Sequence, residues 1–295
     1  MNDEHARVIV AMVTPFEPGG QVNYSAAAQL SSKLVSDGAD GILISGTTGE
    51  APTLTTREKL RMLEVVLDSV GEHAEVWMGT GTNDTELTVE LTEQAQDAGA
   101  HGIMLVTPYY NKPPQRALFE HFRKASEGCQ LPVMIYNVPS RTGANIAPET
   151  VAELAEIDNV IAVKEASGDV NQAARIRHLT DDDFLIYSGD DQLTLPILSI
   201  GGWGVVSVAA HLVADDIYEM IQAYTDGYIR RAAQLHSRLL PLFEAMFITT
   251  NPIPVKASLN MSGIDVGALR LPLTKIEGQE RERLKKLLRA FEIAE

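Results

Sequence analysis

The sequence Val160-Ile161-Ala162-Val163-Lys164 is a short apolar run that ends in a lysine. Short, uniformly apolar runs rich in β-branched residues are typical of strands buried on both faces, as in a parallel sheet. Seven further runs of this kind occur along the chain: Val8–Val13, Gly41–Ser45, Val76–Gly79, Gly102–Thr107, Val133–Asn137, Phe184–Ser188 and Gly204–Val208. The pattern therefore predicts eight buried parallel strands.

Segments with helical periodicity separate these runs: Ala26–Ser36, Arg57–Val70, Glu86–Ala98, Gln115–Ala125 and Pro148–Ile157. Eight strands that alternate with helices predict an α/β fold of the (β/α)₈ TIM-barrel class, closing near Ala210. The alternative is a doubly wound open sheet. It is disfavoured because Gly79-Thr80-Gly81 lacks the third glycine of a dinucleotide fingerprint.

The remaining C-terminal sequence is mainly helical, with helices predicted over Asp216–Thr225, Tyr228–Phe247 and Gly278–Ala294. We therefore expect two parts, a catalytic barrel over residues 1–214 and a C-terminal helical extension over residues 215–295. The extension is expected to pack against the barrel.

Charge and cysteine content limit the classes of partner. The 295 residues include 40 acidic and 24 basic side chains, a formal net charge of −16. Such a balance disfavours nucleic acid and anionic membranes as partners, because both attract clustered Lys and Arg. Cys129 is the only cysteine, so an intrachain disulfide is excluded. The N-terminal residues lack a cationic signal-peptide start and no apolar run approaches ~18 residues, so we expect a cytoplasmic protein.

Active sites of barrels lie at the carboxyl ends of the strands. Those ends here carry one amine, several hydroxyls and phenols, one guanidinium and no histidine. Metal-dependent aldolases need clustered His and carboxylate ligands, whereas the seven histidines of this chain are scattered. We therefore expect neither a metal nor an organic cofactor. A Ser-His-Asp hydrolase is disfavoured as well, because no Gly-x-Ser-x-Gly motif occurs.

Lys164 is the strongest candidate for the nucleophile. A lysine at the end of a buried strand has its stem in the barrel and its amine at the mouth. Desolvation lowers the pKa of an amine, and a neutral amine can attack a carbonyl to form a Schiff base. The alternative is a lysine whose charged end simply reaches solvent. Lys112 and Lys256 are weaker candidates, because they lie in proline-rich sequence interpreted as loop.

Two further motifs could bind or activate a substrate. Gly46-Thr47-Thr48-Gly49-Glu50 offers hydroxyls and backbone amides that can hold a carboxylate, although a capped strand-to-helix turn would have similar residues. Tyr136 can transfer protons and Arg141 can bind a carboxylate with two parallel hydrogen bonds. Their alternatives are a packed aromatic ring and a surface charge.

Together these motifs resemble the dihydrodipicolinate synthase/N-acetylneuraminate lyase family. The resemblance is carried by Gly46-Thr47-Thr48-Gly49-Glu50, by Tyr136-Asn137-Val138-Pro139-Ser140-Arg141-Thr142-Gly143 and by Val163-Lys164-Glu165-Ala166. It extends from Val13-Thr14-Pro15-Phe16 to Asn251-Pro252-Ile253-Pro254-Val255-Lys256. It implies a class I, pyruvate-dependent lyase in which Lys164 forms the imine.

The resemblance also implies roles for the other strand-end residues. Thr47, Tyr110 and Tyr136 would form a proton relay, and Thr48 would hold the pyruvate carboxylate. Arg141 would bind the carboxylate of the second substrate. The pocket would further be lined by Val206 and Gly189. The tyrosine that matches Tyr110 reaches the site across a subunit interface, which implies a tight homodimer, commonly assembled into a tetramer as a dimer of dimers.

Within the family, two features favour the synthase branch, which condenses pyruvate with L-aspartate 4-semialdehyde in lysine and diaminopimelate biosynthesis. The Thr47-Thr48 pair differs from the Ser-Thr typical of neuraminate lyases, and Arg141 suits a short anionic aldehyde. A paralogous aldolase acting on a keto-deoxy sugar acid or N-acetylneuraminate is the alternative enzyme. A non-catalytic barrel is a third possibility, which the presence of the lysine and every relay hydroxyl disfavours.

The stretch that corresponds to the inhibitor site of lysine-regulated members departs from their pattern. Those members carry His and Glu there, whereas this sequence has Ala51, Pro52, Thr56 and Lys59. The charge of Lys59 would repel a cationic effector. We therefore expect weak or absent feedback inhibition by lysine.

Overall fold

The computed structural model describes residues 5–294 as a closed barrel of eight parallel strands, each paired with its neighbours in sequence and β1 paired with β8. The strands are β1 Val8–Ala11, β2 Gly41–Ile44, β3 Glu75–Gly79, β4 Gly102–Val106, β5 Val133–Asn137, β6 Val160–Glu165, β7 Leu185–Ser188 and β8 Gly204–Ser207. The predicted eight-stranded TIM barrel is therefore confirmed, and the open-sheet alternative is wrong.

Helices surround the barrel and follow the last strand. They are α1 Tyr24–Ser36, α2 Thr56–Val70, α3 Thr85–Asp97, α4 Gln115–Glu127, α5 Pro139–Thr142, α6 Pro148–Ala155, α7 Val170–Leu179, α8 Thr194–Ser199, α9 Ala210–Thr225, α10 Ile229–Ala245, α11 Ile253–Met261 and α12 Gly278–Ala290. Capping explains why several begin where they do. Thr55 and Glu58 form a reciprocal capping box at the start of α2, and Asp84 caps α3.

Two hydrophobic clusters explain why the strand sequences are apolar throughout. One fills the barrel interior and includes Ile9, Trp77 and Tyr187, while the other lies between the strands and the helices. Successive strand residues point alternately into these two layers, so both faces of the sheet are buried. A titratable side chain that points inward near a carboxyl strand end is consequently desolvated.

The C-terminal part differs from its sequence-based prediction in one element. Helix α11 was not predicted, because Asn251-Pro252-Ile253-Pro254 was interpreted as loop. Proline fits the first turn of a helix, where a backbone N–H has no intrahelical partner, and α11 begins there. The assignment of Lys256 to a loop was therefore wrong: it lies in α11 and is fully buried.

The division into a barrel (1–214) and an extension (215–295) stays a prediction. Helix α9 runs across that boundary and packs against both β1 and α10. In residues 5–294, no helix combines the length and apolar character needed to span a membrane.

Candidate active site

A cavity of about 240 Å³ opens at the carboxyl end of the barrel. It brings together six residues predicted from the sequence to form the site: Thr47, Thr48, Tyr136, Arg141, Lys164 and Gly189. Its remaining lining is Val138, Ser140, Ala166, Asp190, Val208, Phe247 and Asn251. Three larger depressions lie elsewhere on the surface, but none of the three contains a predicted site residue.

Lys164 lies in the wall of this cavity, near the end of β6. The strand register places it between Tyr136 of β5 and Tyr187 of β7. The side chain is almost fully buried, and its Nζ lies 4.2 Å from the centroid of the Tyr136 ring. Burial lowers the pKa of this amine to about 7; the negative charge of Asp191 opposes the shift and Arg141 adds to it. A large fraction of the amine is therefore neutral and nucleophilic near neutral pH.

Gly189 makes room for the Lys164 stem. A Cβ at this position would lie 3.1 Å from Lys164 Cγ, 3.2 Å from Lys164 Cε and 2.7 Å from the Cβ of Ala166. These distances are shorter than ordinary carbon contacts, so the backbone of the loop after β7 packs directly on the lysine. Any side chain larger than hydrogen would displace the Lys164 stem or Ala166.

Tyr136 and Thr47 form a hydrogen-bonded pair next to the lysine. Burial raises the pKa of the Tyr136 phenol, while Arg141 and the hydrogen bond with Thr47 partly oppose that shift. The phenol therefore stays protonated at neutral pH. A protonated phenol that is bonded to a second hydroxyl can donate a proton and be recharged through that bond.

The Thr47-Thr48 turn is held by residues from the far end of the chain. Asn251 donates a hydrogen bond from its side-chain Nδ2 to Thr48 Oγ1 at 2.9 Å. The backbone carbonyl of Asn251 accepts one from Arg141 Nη2 at 3.1 Å. Asn251 thus connects the expected pyruvate-carboxylate residue to the expected second-carboxylate residue. Its Oδ1 is buried and has no hydrogen-bond partner among residues 5–294.

Asp191 supports the opposite wall. Its carboxylate accepts hydrogen bonds from the Ser207 hydroxyl and from the backbone N–H groups of Val208 (3.1 Å) and Ala209 (3.0 Å). These contacts tie the loop after β7 to the end of β8. Burial raises the pKa of Asp191, whereas the three hydrogen bonds act in the opposite direction.

Two predicted site residues lie outside the cavity. Val206 belongs to the apolar cluster in the barrel interior, and Val208, two residues further on, lines the cavity instead. Tyr110 is 89% exposed in the single chain, with a backbone φ of 75°. Its backbone N–H donates to the carbonyl of Thr142 at 3.2 Å. The backbone of Tyr110 is thus held next to the residue that follows Arg141 in the sequence.

Asn251 and Phe247 line the cavity and Asp191 supports its wall, and sequence reasoning missed all three. Asp191 follows the predicted strand Phe184–Ser188 by three residues, so the rule that barrel sites follow strands could have found it. Asn251 and Phe247 come from the C-terminal extension, and no local pattern indicates that they reach the barrel mouth.

The buried histidine nearest the mouth has a structural role. His211 accepts from the Val13 N–H through Nε2 at 3.0 Å and bonds the Val208 carbonyl through Nδ1 at 2.8 Å. Burial lowers its pKa to about 4, so it is neutral at pH 7 and links β1 to β8. Within residues 5–294, no group of three His, Cys, Asp or Glu side chains could hold a metal ion.

Comparison with known proteins agrees with this geometry. Residues 4–291 match the model of the dihydrodipicolinate synthetase family. The 4-hydroxy-tetrahydrodipicolinate synthase of Desulforudis audaxviator is 51% identical, with 99% of this chain and 100% of that protein covered. The one from Heliobacterium modesticaldum is 51% identical, with 98% and 96% covered.

A solved structure gives the same result. The lysine-bound DHDPS of Cyanidioschyzon merolae superposes with a TM-score of 0.97 at 44% identity, covering 98% of this chain and 100% of that one. The chain therefore belongs to the dihydrodipicolinate synthetase family.

Proposed function

We propose that this protein is a 4-hydroxy-tetrahydrodipicolinate synthase, which condenses pyruvate with L-aspartate 4-semialdehyde. The observation that carries the proposal is the buried Lys164 amine, with a pKa of about 7, beside the Tyr136–Thr47 pair in a small cavity at the barrel mouth. This arrangement suits imine formation with proton transfer. The names of relatives at about half identity agree with the same reaction.

The first half-reaction builds the enamine. The neutral Lys164 amine attacks C2 of pyruvate, whose carboxylate is held at Thr48. The carbinolamine hydroxyl leaves as water after it takes a proton from Tyr136, which is recharged through Thr47. The resulting iminium withdraws electrons, so the C3 methyl group gives a proton to the Tyr136–Thr47 relay and the enamine forms.

The second half-reaction joins the aldehyde and releases the lysine. Arg141 holds the carboxylate of the aldehyde substrate. The enamine carbon attacks the aldehyde carbon while the aldehyde oxygen takes a proton from the Tyr136–Thr47 relay. The amine of the substrate then attacks the iminium carbon. Lys164 departs as a free amine when the ring closes, so no external oxidant or reductant is consumed.

We propose a homodimer as the working unit, with a tetramer of two such dimers as the expected assembly. Tyr110 supports this proposal, because a relay residue that is 89% exposed and outside its own cavity is available to a neighbouring subunit. Tyr110 of the partner subunit would then complete the relay. A cytoplasmic location stays a prediction.

Borohydride reduction with pyruvate, followed by peptide mass spectrometry, tests the imine. We expect a reduced pyruvate adduct on Lys164 in the wild type and none in Lys164→Ala. Substrate profiling then compares L-aspartate 4-semialdehyde with keto-deoxy sugar acids and N-acetylneuraminate. Turnover of a sugar acid without turnover of the semialdehyde would replace the proposed reaction with that of the alternative aldolase. An adduct on another lysine would contradict the mechanism itself.

A further inference from the structure

Glu50 and Lys256 form an ion pair inside the protein. Lys256 Nζ lies 2.9 Å from Glu50 Oε1, and both side chains are only 1% exposed. The ammonium also donates to the carbonyls of Thr14 at 2.9 Å and Ala268 at 2.7 Å. It lies 4.3 Å from the centroid of the Phe16 ring. The buried ammonium is therefore paired with one carboxylate and bonded to two backbone carbonyls.

The carboxylate end of this pair terminates the turn that carries Thr47 and Thr48. Glu50 has a left-handed backbone, with φ of 55°, and its N–H closes the turn by donating to the Thr47 carbonyl at 3.1 Å. Its Oε2 accepts from the backbone N–H of Arg270 at 2.9 Å. Both carboxylate oxygens are thus held by the C-terminal part of the chain.

A second connection reaches the same turn through Thr14. The carbonyl of Thr14 accepts from Lys256, while its hydroxyl donates to the carbonyl of Gly49 at 2.7 Å. Asn251, which precedes α11, donates a hydrogen bond to Thr48 directly. The segment from Asn251 to Arg270 therefore contacts the turn at Thr48 and Glu50, and through Thr14 at Gly49.

Stability alone gives a poor reason for such a pair. Desolvating two charges generally offsets their attraction, and an apolar pair of similar volume would often be at least as stable. A charge pair with several fixed hydrogen bonds does, however, specify one geometry more narrowly than apolar packing can. In this protein the specified geometry is that of the turn expected to hold the pyruvate carboxylate.

We propose that Glu50 and Lys256 are positioning residues for pyruvate, and that the C-terminal segment thereby completes the pyruvate subsite. This inference rests on the proposed function. The pair does not touch the reacting atoms; it acts by fixing the backbone of the turn and the hydroxyls of Thr47 and Thr48.

The test uses Lys256→Met in the full chain, because methionine keeps much of the volume and removes the charge. We expect the pyruvate concentration for half-maximal borohydride trapping to rise at least 10-fold. The apparent kcat/KM for the semialdehyde, measured at saturating pyruvate, should change much less.

Asp40→Asn is the matched control. Asp40 precedes β2 at the opposite end of the barrel and accepts hydrogen bonds from the backbone N–H groups of Arg7 and Val8. It should lower Tm without moving the pyruvate dependence.

The double variant Glu50→Gln/Lys256→Met leaves no unpaired buried charge, so it keeps the test valid if the single variant does not fold. It should show the same weakened pyruvate dependence. Folded variants that trap pyruvate at wild-type concentrations, with only a lower Tm, would overturn the inference and leave a purely structural pair. If the wild type traps no pyruvate, the proposed function is wrong. Failure of the proposed function is thus distinguished from failure of the inference about Glu50 and Lys256.

Discussion

Lys164 performs its role at the expense of stability. The unfolded chain binds a proton at this lysine up to pH 10.5, whereas the folded chain releases it at about 7. The unfolded state therefore binds more protons between these values, and folding stability rises with pH across that window. The cost is largest at neutral and lower pH, where folding must either release the proton of this amine or bury its charge.

Replacing this amine should stabilise the inactive protein. For Lys164→Met we expect the free energy of unfolding at pH 7 to rise by up to roughly 4 kcal/mol, the equivalent of the pKa shift. The gain should fade as the pH approaches 10.5. Denaturant unfolding at pH 7 and pH 10, at one protein concentration, measures it. A variant less stable than the wild type at pH 7 would show that the burial cost is small.

Gly189 sets the position of that amine through its missing side chain. In Gly189→Ala the new methyl group must displace the Lys164 stem or Ala166. We expect the rate of imine formation to fall about 10- to 100-fold, because misplacing a nucleophile by a fraction of an ångström has effects of this size. Rapid-quench trapping with pyruvate measures the rate. Gly128→Ala is the control, since its nearest neighbours lie at ordinary contact distances of 3.4 Å. Equal rates of imine formation in both variants would show that Gly189 does not position Lys164.

At the scale of elements, strands were easier to predict than the residues between them. Burial on both faces leaves an unambiguous apolar run, so β1 to β8 could be located from local sequence alone. The strand-end rule then placed Lys164 and Tyr136 together. The same rule cannot reveal contacts between distant segments. Asn251 was missed for that reason. Helix α11 was missed and Lys256 was assigned to a loop, because the initial prolines of that helix resemble a loop.

The loop after β7 and the end of β8 act together through Asp191. In Asp191→Asn the hydrogen bond to Ser207 can persist, while the negative charge that raises the Lys164 pKa is lost. We expect the acid limb of the pH profile for imine trapping to shift to lower pH by about one unit. The iminium also loses a nearby counter-charge, so less adduct should accumulate at saturating pyruvate. An unchanged acid limb would mean that Asp191 has only a structural role.

At the scale of the whole molecule, Tyr110 tests the proposed dimer. Lys164→Ala and Tyr110→Phe should each be nearly inactive alone. A hybrid dimer of the two has one complete site if the tyrosine acts across the interface. Co-expression of the two variants should therefore restore about a quarter of wild-type activity, because half of the dimers are hybrids with one working site each. Activity no higher than the sum of the separate variants would mean that Tyr110 acts in the site of its own subunit or takes no part in the relay.

Regulation is a second property at the scale of the whole molecule. The C. merolae relative was solved with lysine bound, whereas we expect lysine to bind this protein weakly, because Lys59 places like charge in the corresponding stretch. Calorimetric titration should give a dissociation constant of about 1 mM or weaker. Lys59→Glu should tighten binding if charge repulsion is the cause. Micromolar binding by the wild type would contradict the expectation.

The dependence of the barrel mouth on Asn251, Lys256 and Arg270 has a consequence for biosynthesis. A nascent chain that has been translated as far as β8 contains every strand, Lys164 and Tyr136. It still lacks the residues that hold the Thr47-Thr48 turn. Under the inference that this segment completes the pyruvate subsite, catalytic competence arises only after nearly the whole message has been read. A premature stop codon upstream of residue 270 is then expected to produce a chain that cannot assemble that subsite.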